Sequence, residues 1–285
     1  GTRAEFADDF QKALWESDDV IGAAWYNMIT GFTPAGVPNA NQPFQISGSN
    51  VFASNTWFKF DKQVGEDMSS AQFKSEANLM AGAYVLYYPY DDAIKTSAGF
   101  DGIPVAMEYN QTMDCKAGNE LAAVNENIFA YSIQPFVNGG AQTTTFKLNQ
   151  LNNVFAIRFM VTKPDLMILE KPVGIKKVII KANNGTSSVL TAAGKVSVPT
   201  LTAYEEGKYG EAKFVAGTDA ADYADQLILD VENADNNYAI TAVGEAGATQ
   251  KPFYLAALPF HAGMTELTVQ ILTDDNKVYG TTYTS

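Results

Sequence analysis

Short apolar runs rich in β-branched and aromatic side chains recur along the chain, separated by clusters of Gly, Asn, Asp and Pro. That rhythm predicts a mostly β protein. Strands are expected over residues 51–60, 83–90, 153–162, 175–182, 225–231, 253–260 and 265–272. In the third of these, Phe155, Ile157, Phe159 and Val161 make one wholly apolar face, opposite Val154, Ala156, Arg158 and Met160. Such alternation belongs to a half-buried strand, and antiparallel sheets with one solvated face follow.

The turns agree. Asn183, Asn184 and Gly185, and the stretch "DDNK" at 274–277, supply residues that tolerate tight or left-handed turns, and the second predicts a closing hairpin. One helical pattern stands out near the start, where Phe6, Phe10 and Leu14 recur every four residues and predict a short helix. Two prolines bracket a short apolar stretch in 163–174, the punctuation of a linker. The expected division is an N-terminal β-sandwich over 1–168 and a C-terminal one over 169–285.

The run "AYVLYYPY" at 83–90 raises two readings. Tyr84, Leu86 and Tyr88 share one face and Val85 and Tyr87 the other, so the strand is apolar on both sides. A central strand with buried rings and hydroxyls at polar partners explains this better than a platform for sugar. Trp25, Tyr26 and Trp57 could form an exposed platform, against the same core reading.

Composition supports a folded chain: 46% hydrophobic, 12% aromatic and only 18% charged across 285 residues. The net charge is −13, and Arg3 and Arg158 are the only arginines, which argues against a nucleic-acid partner. No run approaches the roughly 20 apolar residues of a membrane-spanning helix. A single cysteine, Cys115, excludes an internal disulfide and any multi-thiolate metal site, and its neighbours lack a thiolate-activating motif.

Catalytic chemistry finds little support. His261 is the only histidine, and no G-x-S-x-G elbow or glycine-rich phosphate loop accompanies it. Adjacent carboxylates at Asp8 and Asp9, Asp18 and Asp19, Asp91 and Asp92, and Asp274 and Asp275 suit turns better than a convergent glycosidase pair. A calcium site from Asp219, Asp222 and Asp225 matches no known loop spacing. The expectation is a protein that is not an enzyme, with no catalytic residue, metal or cofactor.

Several stretches, taken in order, resemble the Bacteroidales fimbrillin family, the subunits of type V pili and related surface lipoproteins. They are "TRA" at 2–4, "LWESDDVIGAAWYN" at 14–27, "AGAYVLYYPYDD" at 81–92, "TTFKLNQLNNVFAIRFMVTK" at 144–163, "GIKKVIIKANNG" at 174–185 and "FYLAALPFHAGMTELTVQILTDDNKVYG" at 253–280. The resemblance implies an all-β fold of two transthyretin-like Greek-key β-sandwiches in tandem. It also implies export as a lipoprotein precursor to the cell surface, the outer membrane or a fimbrium. Cleavage by a trypsin-like protease between Arg3 and Ala4 would remove a first strand and open a groove, which a donor strand from another pilus subunit fills. On this resemblance the sequence is expected to start after that first strand. The chain also ends at "YGTTYTS", where polymerising subunits of the family usually carry further strand to donate, so tip, anchor and trimmed forms stand beside a stalk role. The alternatives are a monomeric surface lipoprotein that binds glycan or host protein through loops, and a glycosidase using two of the acids.

Overall fold

The computed structural model describes residues 5–6, 13–26, 55–74, 82–94, 102–116, 120–137, 147–160, 171–197, 213–242 and 247–285. Almost every regular element among them is a strand, so the fold is all-β, as the alternating pattern predicts. In chain order these are β1 (Glu5–Phe6), β2 (Ala13–Leu14), β3 (Val20–Tyr26), β4 (Asn55–Gln63), β5 (Ala71–Lys74), β6 (Gly82–Tyr88), β7 (Gly102–Ala106), β8 (Asn110–Asp114), α1 (Ala122–Asn125), β9 (Ala130–Val137), β10 (Asn149–Gln150) and β11 (Asn153–Ile157). The second half continues with β12 (Val173–Asn184), β13 (Ser187–Ser188), β14 (Leu190–Thr191), β15 (Ala193–Ser197), β16 (Lys213–Ala216), β17 (Tyr223–Ala224), β18 (Leu227–Glu232), β19 (Ala239–Ile240), β20 (Phe253–Ala257), β21 (Glu266–Thr273) and β22 (Val278–Thr284).

The chain divides into two compact units, each built from three segments. The first comprises Gly1–Val105, Ile128–Leu151 and Lys195–Val215, and the second Ala106–Asn127, Asn152–Gly194 and Ala216–Ser285. Strands on both sides of the expected boundary at 168/169 therefore enter the second unit, and the stretch 161–170 around that boundary lies outside the described residues.

In the first unit a six-stranded sheet runs β10-β9-β6-β3-β4-β5. The tyrosine-rich β6 lies between β3 and β9, antiparallel to both. Interior position explains why both of its faces are apolar: Tyr84, Val85, Leu86, Tyr87 and Tyr88 are all buried. Each buried ring removes a large apolar area from water, at roughly 25 cal/mol per Å².

The second unit is organised around β12, the longest described strand. Its sheet runs β22-β21-β12-β18-β8, with the short β13 and β19 also on β12. Ile175, Val178, Ile180 and Ala182 of β12 are buried although 175 and 178 differ in parity. A bulge between Ile175 and Lys177 accounts for this, because one extra residue moves the apolar set back onto the core face. On the other face Lys177 pairs with Asp230 across the β12–β18 ladder at 2.7 Å. A separate antiparallel pair, β11 with β20, supplies the buried Phe253, Leu255, Ala256 and Ala257.

The second unit also holds a pairing that runs against an all-antiparallel expectation: β18 and β8 are parallel. Gln111 of β8 then reaches β20. Its Nε2 donates to Ala256 O at 2.8 Å, and Ala256 N donates to its Oε1 at 3.0 Å. A buried side-chain amide thus takes the place of a neighbouring strand beside Ala256.

The expected N-terminal helix is corrected. Glu5 pairs with Leu14 and Phe6 with Ala13 in an antiparallel ladder between β1 and β2. A helix would hold residues 5 and 14 about two and a half turns apart, so the chain must reverse between them instead. Trp15 follows directly, donating its N–H to Met68 O at 2.8 Å and packing edge-on to Phe73 and Tyr88. The four-residue spacing of Phe6, Phe10 and Leu14 loses to this tertiary anchoring. Both predicted turns form, with Gly185 (φ 69°) and Asn276 (φ 63°) in the left-handed region.

Candidate functional site

The processing residues Arg3 and Ala4 lie outside the described residues. So do the side chains of Trp25, Tyr26 and Trp57. The tyrosine platform at 83–90 is closed to a ligand, since Tyr84, Tyr87 and Tyr88 are buried. Tyr88 Oη donates to Asp19 Oδ1 at 2.7 Å, and Tyr87 Oη donates to the Asp91 carbonyl at 3.1 Å.

The paired acids divide between core and turn. Asp19 is buried and accepts the Glu16 N–H at 2.7 Å as well as the Tyr88 hydroxyl. Asp91 accepts the Ala93 N–H at 2.8 Å, an Asx turn of the kind these residues favour. Asp222 holds the short turn Ala220–Asp222 by accepting the Asp219 N–H at 2.9 Å. Among the described residues no group of three His, Cys, Asp or Glu side chains could hold a metal ion.

His261 and Cys115 stand in settings without a nucleophile–base relay. His261 Nδ1 lies 3.5 Å from Thr191 Oγ1, and its ring meets the edge of Tyr223 with centroids 4.6 Å apart. Among the described residues no carboxylate bonds to its imidazole, so nothing there orients it as a base. The Cys115 thiol is buried and pushed up to about 12, by desolvation first and then by Asp235, Asp114 and Glu120. It stays protonated at neutral pH, the opposite of a reactive thiolate.

Among the described residues, an edge of the second unit's sheet has unmet binding capacity. Residues Val278–Thr284 of β22 pair with β21 on one side, and β22 ends the sheet among the described strands. Every residue of β22 is exposed, including Val278 at 60%, Tyr279 at 51% and Tyr283 at 60%. The register explains the exposure. Tyr279, Thr281 and Tyr283 stand opposite Ile271, Val269 and Leu267, so they continue the face on which Val269 and Ile271 are buried. The core face of the sheet therefore extends one strand beyond its cover.

Sheet edges are normally guarded by charge, proline or a bulge. β22 carries no charged residue and no proline, and its ladder with β21 has no bulge. The hairpin that presents it is firmly tied, with Thr273 N donating to Lys277 O at 2.9 Å and Lys277 Nζ paired with Asp275 at 2.8 Å. The hairpin itself was legible in the sequence from "DDNK". The signal for its uncovered outer strand is the unguarded run "VYGTTYT".

No known protein family and no curated protein matches this sequence. A solved structure of a candidate adhesin from Bacteroides ovatus matches with TM-score 0.31 and 9% identity, covering 94% of this chain and 77% of that one.

Proposed function

We propose that the protein is a structural subunit of a bacterial surface pilus or fimbria, assembling by protease-triggered strand exchange, with adhesion as its output. The observation that carries this reading is β22, an unguarded strand exposed on both faces at the end of a well-packed sheet. Strand addition uses such an edge directly: free backbone N–H and C=O groups supply affinity, and alternating side chains supply register. The order of fimbrillin-like stretches along the sequence supports the same reading. In this account no residue is catalytic. Cleavage between Arg3 and Ala4 by a trypsin-like enzyme releases the subunit for assembly at the cell surface, and other pilus subunits are its strand donors and acceptors.

The test is the N-terminal sequence and mass of the native protein recovered from sheared surface material of the producing bacterium. A start at Ala4 within high-mass, heat-dissociable assemblies is the expected result. A lipidated N-terminus upstream of Arg3 on a monomer would overturn the proposal and favour a surface lipoprotein that binds glycan or host protein through its loops.

A further inference from the structure

We infer that the partner of β22 is a second copy of this chain, paired antiparallel, strand to strand, about a two-fold axis through Thr281. This deepens the reading of β22 as an association edge and rests on it.

The hairpin's own bonds decide which backbone groups are free. Thr273 N donates to Lys277 O, and Ser285 N donates to Thr265 O at 3.0 Å. Hydrogen-bonded and non-hydrogen-bonded pairs alternate between those two ends of the β21–β22 ladder. Tyr279, Thr281 and Tyr283 therefore direct their N–H and C=O groups toward β21. Val278, Gly280, Thr282 and Thr284 direct theirs to the open edge.

An axis through Thr281 matches these groups without remainder. Gly280 then faces Thr282 of the second copy, and Val278 faces Thr284, each pair exchanging two bonds for about eight in all. Thr281 is the midpoint of Val278–Thr284, so this register pairs every residue of the described strand. It also sets Tyr279 beside Tyr283 of the second copy on the uncovered core face, an aromatic cross-strand pair. The sequence V-Y-G-T-T-Y-T is self-complementary in this sense, as an isologous interface requires.

Charge favours the same occupant. A chain of net charge −13 repels its own copies over most approaches, but β22 has no charge to bring face to face. The flanking Lys277 and Asp275 neutralise each other. One strand edge is small beside the ~800 Å² per partner of a standard interface, so the dimer is weak and its population rises with concentration.

The test uses the full chain. Sedimentation velocity over a concentration series should show a monomer–dimer equilibrium. Thr281→Cys should form a disulfide dimer on mild oxidation, because axis-related residues come within disulfide reach. Val278→Cys alone should not, whereas Val278→Cys mixed with Thr284→Cys should. Cys115 is buried and gives little background. Thr281→Lys and Thr281→Glu, each alone, should weaken association by about tenfold or more through like charges at the axis, and mixing the two should restore it. Thr281 is exposed, so these variants should melt with the wild type.

A wild-type chain that remains monomeric throughout the series would overturn the pairing. So would a Thr281→Lys and Thr281→Glu mixture that stays apart while the wild type dimerises. A full chain that stays monomeric throughout the series, while native protein begins at Ala4 in high-mass surface assemblies, would remove the pairing and leave the fimbrial reading standing. A cross-linked dimer from a lipidated native protein uncut at Arg3 would do the reverse.

Discussion

Tyr87 lies across the backbone of Gly22, its cross-strand partner in the β3–β6 ladder. A β-carbon at Gly22 would collide with Cζ and Cε1 of the Tyr87 ring. The ring is buried and its hydroxyl is tied to the Asp91 carbonyl, so it has no free direction in which to swing. Gly22→Ala should therefore destabilise the protein by about 1–3 kcal/mol through overpacking, measured by urea denaturation. The cost should shrink when Tyr87 is also replaced by Ala, since the two changes share one contact. An unchanged cost in the double variant would show that the glycine serves something other than the ring.

Tyr88 and Asp19 make a second core contact, between a strand end and the loop before β3. The hydroxyl bond to Oδ1 is buried, and the other carboxylate oxygen holds the Glu16 N–H. Tyr88→Phe keeps the ring packing against Trp15 but removes a donor to a buried carboxylate. The expected loss is about 1.5–3 kcal/mol, the range for bonds to charged groups. A change below ~0.5 kcal/mol in thermal or urea unfolding would show that this oxygen is satisfied in other ways.

Which of these relationships a sequence can reveal depends on their range. The two-sided apolarity of 83–90 is a local property, and it led directly to a central strand with its tyrosines inside. The turns at Gly185 and Asn276 were legible for the same reason, because a left-handed backbone selects its residues locally. Partner choice is not local. The spacing of Phe6, Phe10 and Leu14 describes a helix well, yet pairing of Glu5 with Leu14 and anchoring of Trp15 decide the outcome. β8 has a weak pattern, "NQTMD", with Met113 as its one large apolar residue, and nothing in it announces a parallel partner more than a hundred positions later. The proline-bracketed stretch 163–174 reads as a linker, although β8 and β11 before it and β18 and β20 after it share a unit.

Gln111 shows the same limit at the level of one side chain. Polar and in a short strand, it reads as a surface residue, but it is buried against β20. Its amide both donates to and accepts from the Ala256 backbone. Gln111→Ala should leave two buried backbone groups without their partner and cost about 1–3 kcal/mol. The local readout is amide hydrogen exchange: protection at Ala256 should fall while β12 stays protected. Equal protection in both chains would mean that β20 is held by β11 alone.

The β21–β22 hairpin should carry an acid-sensitive element at its turn. Asp275 is held well below the ordinary carboxyl value of 3.8, at about 2, first by its hydrogen bond with Lys277 and then by the Thr273 hydroxyl. The sign follows from linkage: a carboxylate whose folded value is depressed adds stability that is fully present above the unfolded value and is lost as pH falls through the folded one. The window is therefore roughly pH 4 down to 2, and near neutral pH this contribution should be fully present and constant. Carbon-detected NMR titration of the Asp275 carboxyl should give a midpoint near the lower end of that window. In Asp275→Asn the β22 amide shifts should lose this acid transition while keeping their neutral-pH positions. An Asp275 midpoint at the ordinary value would show that the lysine and threonine do not hold the turn in solution, and that β22 is presented by the β21 ladder alone.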